Sequence, residues 1–197
     1  MSGSKRGSYH HGDLRSALIK TALDHVRRNG VEKFSLREVA RQIGVAPAAT
    51  YNHFPDKDEL LAAVALEAQI VLAERTLIAT SGLAGVERLE AVGHAYIGFA
   101  CDEPLLFRFL FSRRGASSLR ESYETADGEV IPGSYEQLRM AVAEVRPDKQ
   151  VPVDNDMLAL AWSVAHGAAS LISDGMWRTD DGQADAALRL ALKLMQN

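Results

Sequence analysis

The chain has 197 residues, enough for one large domain or two small ones, and its 47% hydrophobic and 24% charged residues suit a packed core. The formal charge of −4 conceals a polarity: residues 1–57 carry ten Lys and Arg against five Asp and Glu, a net of +5, and residues 58–197 carry −9. The lone cysteine, Cys101, excludes an internal disulfide framework; with no apolar run near the ~18 residues of a membrane span and no apolar signal segment in residues 1–13, a cytoplasmic chain is expected.

Residues 1–11 (MSGSKRGSYHH) read as a polar, basic arm, in which Tyr9, His10 and His11 either extend the contact surface of the segment that follows or simply aid solubility. Gly12 or Asp13 is placed to cap a helix reaching Asn29, with Leu14, Leu18, Ala22 and Val26 at four-residue steps and Asn29-Gly30 as its stop. Ser35 and Glu38 then form an S-x-x-E capping box, and Leu36, Val39, Ala40 and Ile43 fall at i, i+3, i+4 and i+7, one buried stripe. Gly44 ends that helix, and Pro47 opens a second one predicted to reach His53, where its missing N–H costs nothing. A helix, a short turn with Gly and a second short helix make a helix-turn-helix, whose second member enters the major groove of DNA. A basic head on an acidic body fits an electrostatic footprint confined to one end.

Asp56, Asp58 and Glu59 are acids suited to a helix N-terminus, and the helix they open runs near 25 residues to Ser81-Gly82, a connector from head to body. Beyond it, segments 84–101, 104–112, about 117–127, 134–145, 154–173 and 184–196 are helix-compatible. Pro104, Gly115, Gly128, Pro132, Gly133, Pro147, Pro152, Gly175 and Gly182 separate them. No stretch alternates with period two, so strands are not expected, and 123–134 reads as an interrupted helix with a loop. The fold class is all-α.

Large apolar side chains concentrate in the body at Tyr96, Phe99, Phe107, Leu110, Phe111 and Trp162, with Phe107, Leu110 and Phe111 on one helical face. They are candidates for a small-molecule pocket, with His94, His166 and Cys101 as its polar groups, and Trp162 and His166 are neighbours at i, i+4. For any one aromatic, simple core filling is the better explanation, because burial of such residues needs no ligand. The His and Cys residues lack metal-ligand spacing, so no metal is assigned. Cys101 precedes Asp102 and Glu103, which disfavour a reactive thiolate. Residues 157–172 are apolar or small on nearly every side, so one side, including Leu171, needs a partner; with the stripe Leu188, Ala191, Leu192 and Met195 this predicts a two-fold four-helix dimer interface. No G-x-S-x-G, H-E-x-x-H or glycine-rich phosphate loop is present, so neither catalytic residues nor a cofactor are assigned. A helical protein-interaction module, or a ligand-binding protein without specific DNA function, is the competing reading.

The strings GDLRSALIKTALDHVRRNG, FSLREVARQIGV and TYNHFPDKDELL resemble the TetR family of bacterial transcriptional regulators. YHHGDLR, EPLLFRFLFS and WSVAHG (162–167) resemble its subgroup with a WHG-type C-terminal domain. The resemblance implies about nine helices, with an arm and helix-turn-helix head over 1–55 and a helical effector-binding and dimerisation domain over 56–197. It implies a homodimer that binds a palindromic operator in double-stranded DNA, most often a repressor released by a small effector. Carried onto matching positions, Lys57, the backbone N–H groups beside it and Ser35 would meet phosphate, and Tyr51 and His53 the sugar-phosphate backbone. Arg37 would read guanine, Pro47 and Ala48 thymine methyls, and Asn52 phosphate or an adenine edge. Ala46 stands where the family often has Ser or Thr, forfeiting a capping bond of ~1 kcal/mol. Asn52 stands where larger or basic residues are common, which leaves operator preference unassigned.

Overall fold

The computed structural model describes residues 11–145 and 155–195; Tyr9, His10, Pro147 and Pro152 lie outside them. Nine α-helices and one two-stranded sheet follow in chain order among the described residues. None of these helices is long and apolar enough to cross a membrane.

Helix α1 (His11–Asn29) begins one residue before the expected Gly12/Asp13 cap. Leu18, Ala22 and Val26 are fully buried, as their spacing requires, and Gly30 turns the chain with φ 73° while its N–H reaches Val26 O at 2.9 Å. Helix α2 (Leu36–Gln42) buries Leu36, Val39 and Ala40. Helix α3 (Pro47–Thr50) is shorter than the predicted run to His53. The N–H groups of His53 and Phe54 both turn back to Thr50 O, at 3.0 and 2.9 Å, and Phe54, wholly buried, precedes Pro55, which disfavours further helix.

Helix α4 (Lys57–Ala79) starts where the acids predict: the Asp56 carboxylate accepts from the Glu59 N–H at 2.9 Å. Its Leu60, Val64, Ala68 and Leu72 are fully buried in a core shared with α1 and α2 on one side and with α5 (Gly85–Asp102), α6 (Pro104–Leu110) and α8 (Asn155–Ser173) on the other. A second core joins Leu89 and Val92 of α5, Leu138 and Val142 of α7 (Ser134–Val145), Leu158 of α8, and Leu192 and Met195 of α9 (Gln183–Met195). Polar bonds fasten α7 to its surroundings. The Gln137 amide donates to Ala73 O at 2.9 Å and to Pro132 O at 2.8 Å, while Glu144 accepts from the Gly85 N–H at 2.7 Å and from Arg88 at 2.6 Å.

The expectation of helix over 117–127 and of no strands is corrected here. After a 3₁₀ turn at Ala116–Ser118, strand β1 (Ser122–Glu124) pairs antiparallel with β2 (Val130–Pro132), Tyr123 opposite Ile131. The cause is non-local: Tyr123 and Ile131 bury themselves against Ala73 of α4. The Tyr123 hydroxyl donates to Ser118 O at 3.1 Å and accepts from the Arg120 N–H at 3.0 Å. Gly128, at φ 79°, supplies the left-handed position that the hairpin turn needs.

Candidate functional site

The head presents one polar surface around α3. Gly44, at φ 73°, leads from α2 into the turn, and Val45 N–H bonds Ala40 O at 3.0 Å, fixing the angle between the two helices. Thr50 is completely buried, its hydroxyl donating to Pro47 O at 2.7 Å. With Thr50 and Phe54 held inward, Pro47, Ala48, Tyr51 and Asn52 face solvent, as does Arg37 on α2. Ser35, His53 and Lys57 are half-buried at the edges of this surface. The Lys57 ammonium lies 5.5 Å from the Phe34 ring centroid and the Arg15 guanidinium 5.0 Å from that of Phe54, two cations lodged on aromatic faces.

Two expectations for the head change. Ser35 is the N-cap residue of α2 but its side chain makes no capping bond. Glu38 does not close the box, because its carboxylate takes Arg41 at 2.6 Å and Gln42 at 3.1 Å instead. The Arg41 guanidinium, assisted by Gln42, holds the Glu38 carboxyl down at about 2. Ala46 likewise gives α3 no side-chain cap.

In the body, Tyr96, Phe107, Phe111, Trp162 and His166 form one aromatic cluster. Trp162 stacks on His166 with centroids 5.4 Å apart and planes at 11°, and Phe107 and Phe111 lie 4.8 Å apart. The Tyr96 hydroxyl sits 2.8 Å from His166 Nδ1. Burial lowers the His166 pKa and raises that of Tyr96, so a neutral imidazole shares one hydrogen bond with a neutral phenol, its direction set by the ring tautomer. Phe99 and Leu110 are wholly buried in the surrounding core. Open space lies at the edge of the cluster, where Trp162 joins Leu119, Arg120, Glu121, Tyr135, Glu136 and Arg139 around a groove of about 470 Å³.

Other body assignments are redirected. His94 is exposed and faces Asp185 at 3.2 Å, apart from the aromatic cluster. The Cys101 thiol is pushed up by burial and by Asp102. Leu188, Leu192 and Met195, expected at the dimer interface, turn inward. Together with Gly93, Leu138 and Ala165 they enclose a crevice of only about 20 Å³. The outward apolar residues of α9 are Leu190 and Leu194, 59% and 57% exposed. On α8, Leu171 stays half-buried, in line with Leu160, Val164 and Gly167 at i, i+4, i+7 and i+11.

The sequence reading missed two buried polar residues. His25 is buried edge-on to Phe34, and Gln69 is fully enclosed in mid-α4; the polar side-chain atoms of both lack hydrogen-bond partners among the described residues. Spacing alone places both on the buried stripes of their helices, His25 at i+7 from Leu18 and Gln69 at i+4 from Ala65, but gives no reason for a polar residue there. Among the described residues no group of three His, Cys, Asp or Glu gathers as a metal site.

A family model described as bacterial regulatory proteins, tetR family, matches residues 18–64, and one described as tetracyclin repressor-like, C-terminal domain, matches residues 89–195. An uncharacterized HTH-type transcriptional regulator of Mycobacterium tuberculosis is 29% identical over 129 residues, covering 64% of this chain and 53% of that protein. One from Haemophilus influenzae is 29% identical over 126 residues, covering 63% and 60%. The chain thus spans between half and two thirds of the length of these curated relatives.

Among solved structures, a protein of unknown function from Rhodococcus sp. RHA1 shares the fold with a TM-score of 0.68 at 24% identity, over 97% of each chain. A tetR-family transcriptional regulator from Streptomyces coelicolor does so at 0.62 and 20%, over 90% of this chain and 78% of that one. BioQ, crystallised with its natural double-stranded DNA operator, gives 0.57 and 20%, over 96% and 99%. With a helix-turn-helix head and a helical body each matched by its own model, this chain belongs to the tetR family of bacterial regulatory proteins, which are DNA-binding transcriptional regulators and not enzymes.

Proposed function

We propose that this chain regulates transcription in the cytoplasm as a homodimer, its arm and head (1–55) binding a palindromic operator and its body (56–197) binding a small effector that releases it. One observation carries the reading: the segment from α3 to Phe54 turns Thr50 and Phe54 into the core and leaves Pro47, Ala48, Tyr51 and Asn52 outward beside Arg37, a solvent-facing ledge free to meet a groove. Lys57 and Ser35 flank it as phosphate contacts, with Tyr51 and His53 along the sugar-phosphate backbone. BioQ, which shares the fold, was crystallised on its own operator, and that precedent supports the assignment.

The dimer reading rests on the outer faces of α8 and α9. Leu190 and Leu194 are exposed one turn apart, and a Cβ added at Gly167 would meet nothing within 4 Å, leaving room for a neighbouring helix. Release follows if the effector prefers the form whose two heads are misplaced for the two half-sites, lowering DNA affinity by its differential affinity for the two forms. Helix α4 is the mechanical link, since its side chains belong to the cores of both parts. A mobility-shift titration on the inverted repeats upstream of the chain's own gene tests the proposal. Saturable, salt-sensitive binding is expected; a protein that shifts none of these duplexes at any salt concentration refutes it.

A further inference from the structure

The groove beside Trp162 has a definite chemistry. Leu119 and Tyr135 are about two-fifths exposed on its walls, and Tyr135 meets Trp162 edge-on at 5.2 Å and 82°. Trp162 is backed in turn by the stacked His166, so the aromatic wall is rigid and continuous with the buried cluster. Of the two guanidinium groups on the groove, Arg139 is already clamped by both carboxylate oxygens of Glu136. Glu121 also lies within electrostatic reach of Arg139. Arg120, exposed on the same groove, has no carboxylate partner among the described ion pairs. A planar guanidinium beside aromatic faces, in a volume within the ~300–1,000 Å³ range of small-molecule sites, is the donor set for one kind of ligand.

We infer that this groove, at the edge of the aromatic cluster, is the effector site, and that it takes a flat aromatic carboxylate. The ring lies against Tyr135 and Trp162, and the carboxylate pairs with Arg120. The inference rests on the regulator reading for its biological meaning, though not for its chemistry.

The position of the groove supplies a route to the head. Its wall at 119–121 runs directly into β1, and the turn of that hairpin, at Ala126, lines a second groove with Lys20, Asp24 and Arg27 of α1 and Glu67 of α4. The far end of the hairpin is tied to α4 by Gln137, which bonds Pro132 O and Ala73 O together. A ligand held by Arg120 therefore bears on the segment that spans from body to head.

The test uses the full chain carrying Trp177→Phe, which leaves Trp162 as the only tryptophan. Titration with 1-naphthoate is followed by Trp162 fluorescence, with 1-naphthalenemethanol as the neutral control, and calorimetry on the unsubstituted protein repeats the measurement without that substitution. Saturable quenching by the acid is expected, about ten-fold weaker for the alcohol and about ten-fold weaker for the acid in Arg120→Ala of unchanged circular dichroism, the loss of one charge-assisted pair. No saturation with the acid, equal affinity for the alcohol, or unchanged affinity in Arg120→Ala each overturns the assignment. A separate duplex titration of the unliganded protein keeps the two questions apart: failure to bind DNA removes the regulator reading, whereas failure in fluorescence and calorimetry removes only the groove.

Discussion

The hydroxyl of Tyr96 on α5 stands 2.8 Å from Nδ1 of His166 on α8, joining two helices through the middle of an aromatic cluster. Replacing Tyr96 by Phe keeps the ring and removes the hydroxyl, leaving a half-buried imidazole nitrogen without its partner. The expected cost is about 1–2 kcal/mol in denaturant unfolding, with the slope unchanged. A variant as stable as the parent would show that this bond contributes nothing.

The same pair sets a pH dependence. Burial holds the His166 pKa below its ordinary 6.5, so in the acid range the unfolded chain binds this proton more readily than the folded one. The contribution is complete above the ordinary value and is lost as pH falls through the depressed one. Melting temperature should therefore decline on acidification, and His166→Gln should decline less steeply than the parent. Identical slopes would place the pH dependence elsewhere.

The two faces of α9 separate by substitution. Leu188→Ala opens a cavity in the inner core and should cost about 2–4 kcal/mol of stability. Leu190→Glu and Leu194→Glu sit on the outer face, where they should leave helix content intact and lower the mass seen by light scattering from dimer to monomer. A dimer undisturbed by both outer charges would move the interface off this face.

Asp56 is the clearest local prediction. Its carboxylate caps α4 at the Glu59 N–H, and Asp56→Ala should cost about 1 kcal/mol, most of which Asp56→Ser restores. A loss that serine does not recover would assign Asp56 another role.

The helical frame was readable where the signal is local. Leu18, Ala22 and Val26 follow one stripe, Gly44 takes a positive φ, and Asp56 caps, because spacing, backbone freedom and a carboxylate act within a few residues. What failed depends on distant partners. Strands of three residues are too short to show alternation, and Tyr123 and Ile131 choose the extended form because Ala73, some fifty residues earlier, offers a surface. The stripe Leu188, Leu192 and Met195 announces burial but not whether the covering surface belongs to the same chain; here α5, α7 and α8 cover it. Ser35 and Glu38 have the spacing of a capping box, yet Arg41 and Gln42 compete for the same carboxylate and hold it. The aromatic residues of the cluster were identified from their spacing, whereas Arg120 and Tyr135, which open the groove beside it, sit in segments whose conformation only the hairpin determines.

The head is where the proposed function meets its most direct test. Binding of the full chain to its upstream inverted repeat, measured by fluorescence anisotropy across a series of salt concentrations, should weaken linearly on a log–log plot, and Lys57→Ala should lower that slope by about one unit for every duplex tested. Equal weak binding to all duplexes, or a slope indifferent to Lys57, would contradict the claim that this surface lies on DNA.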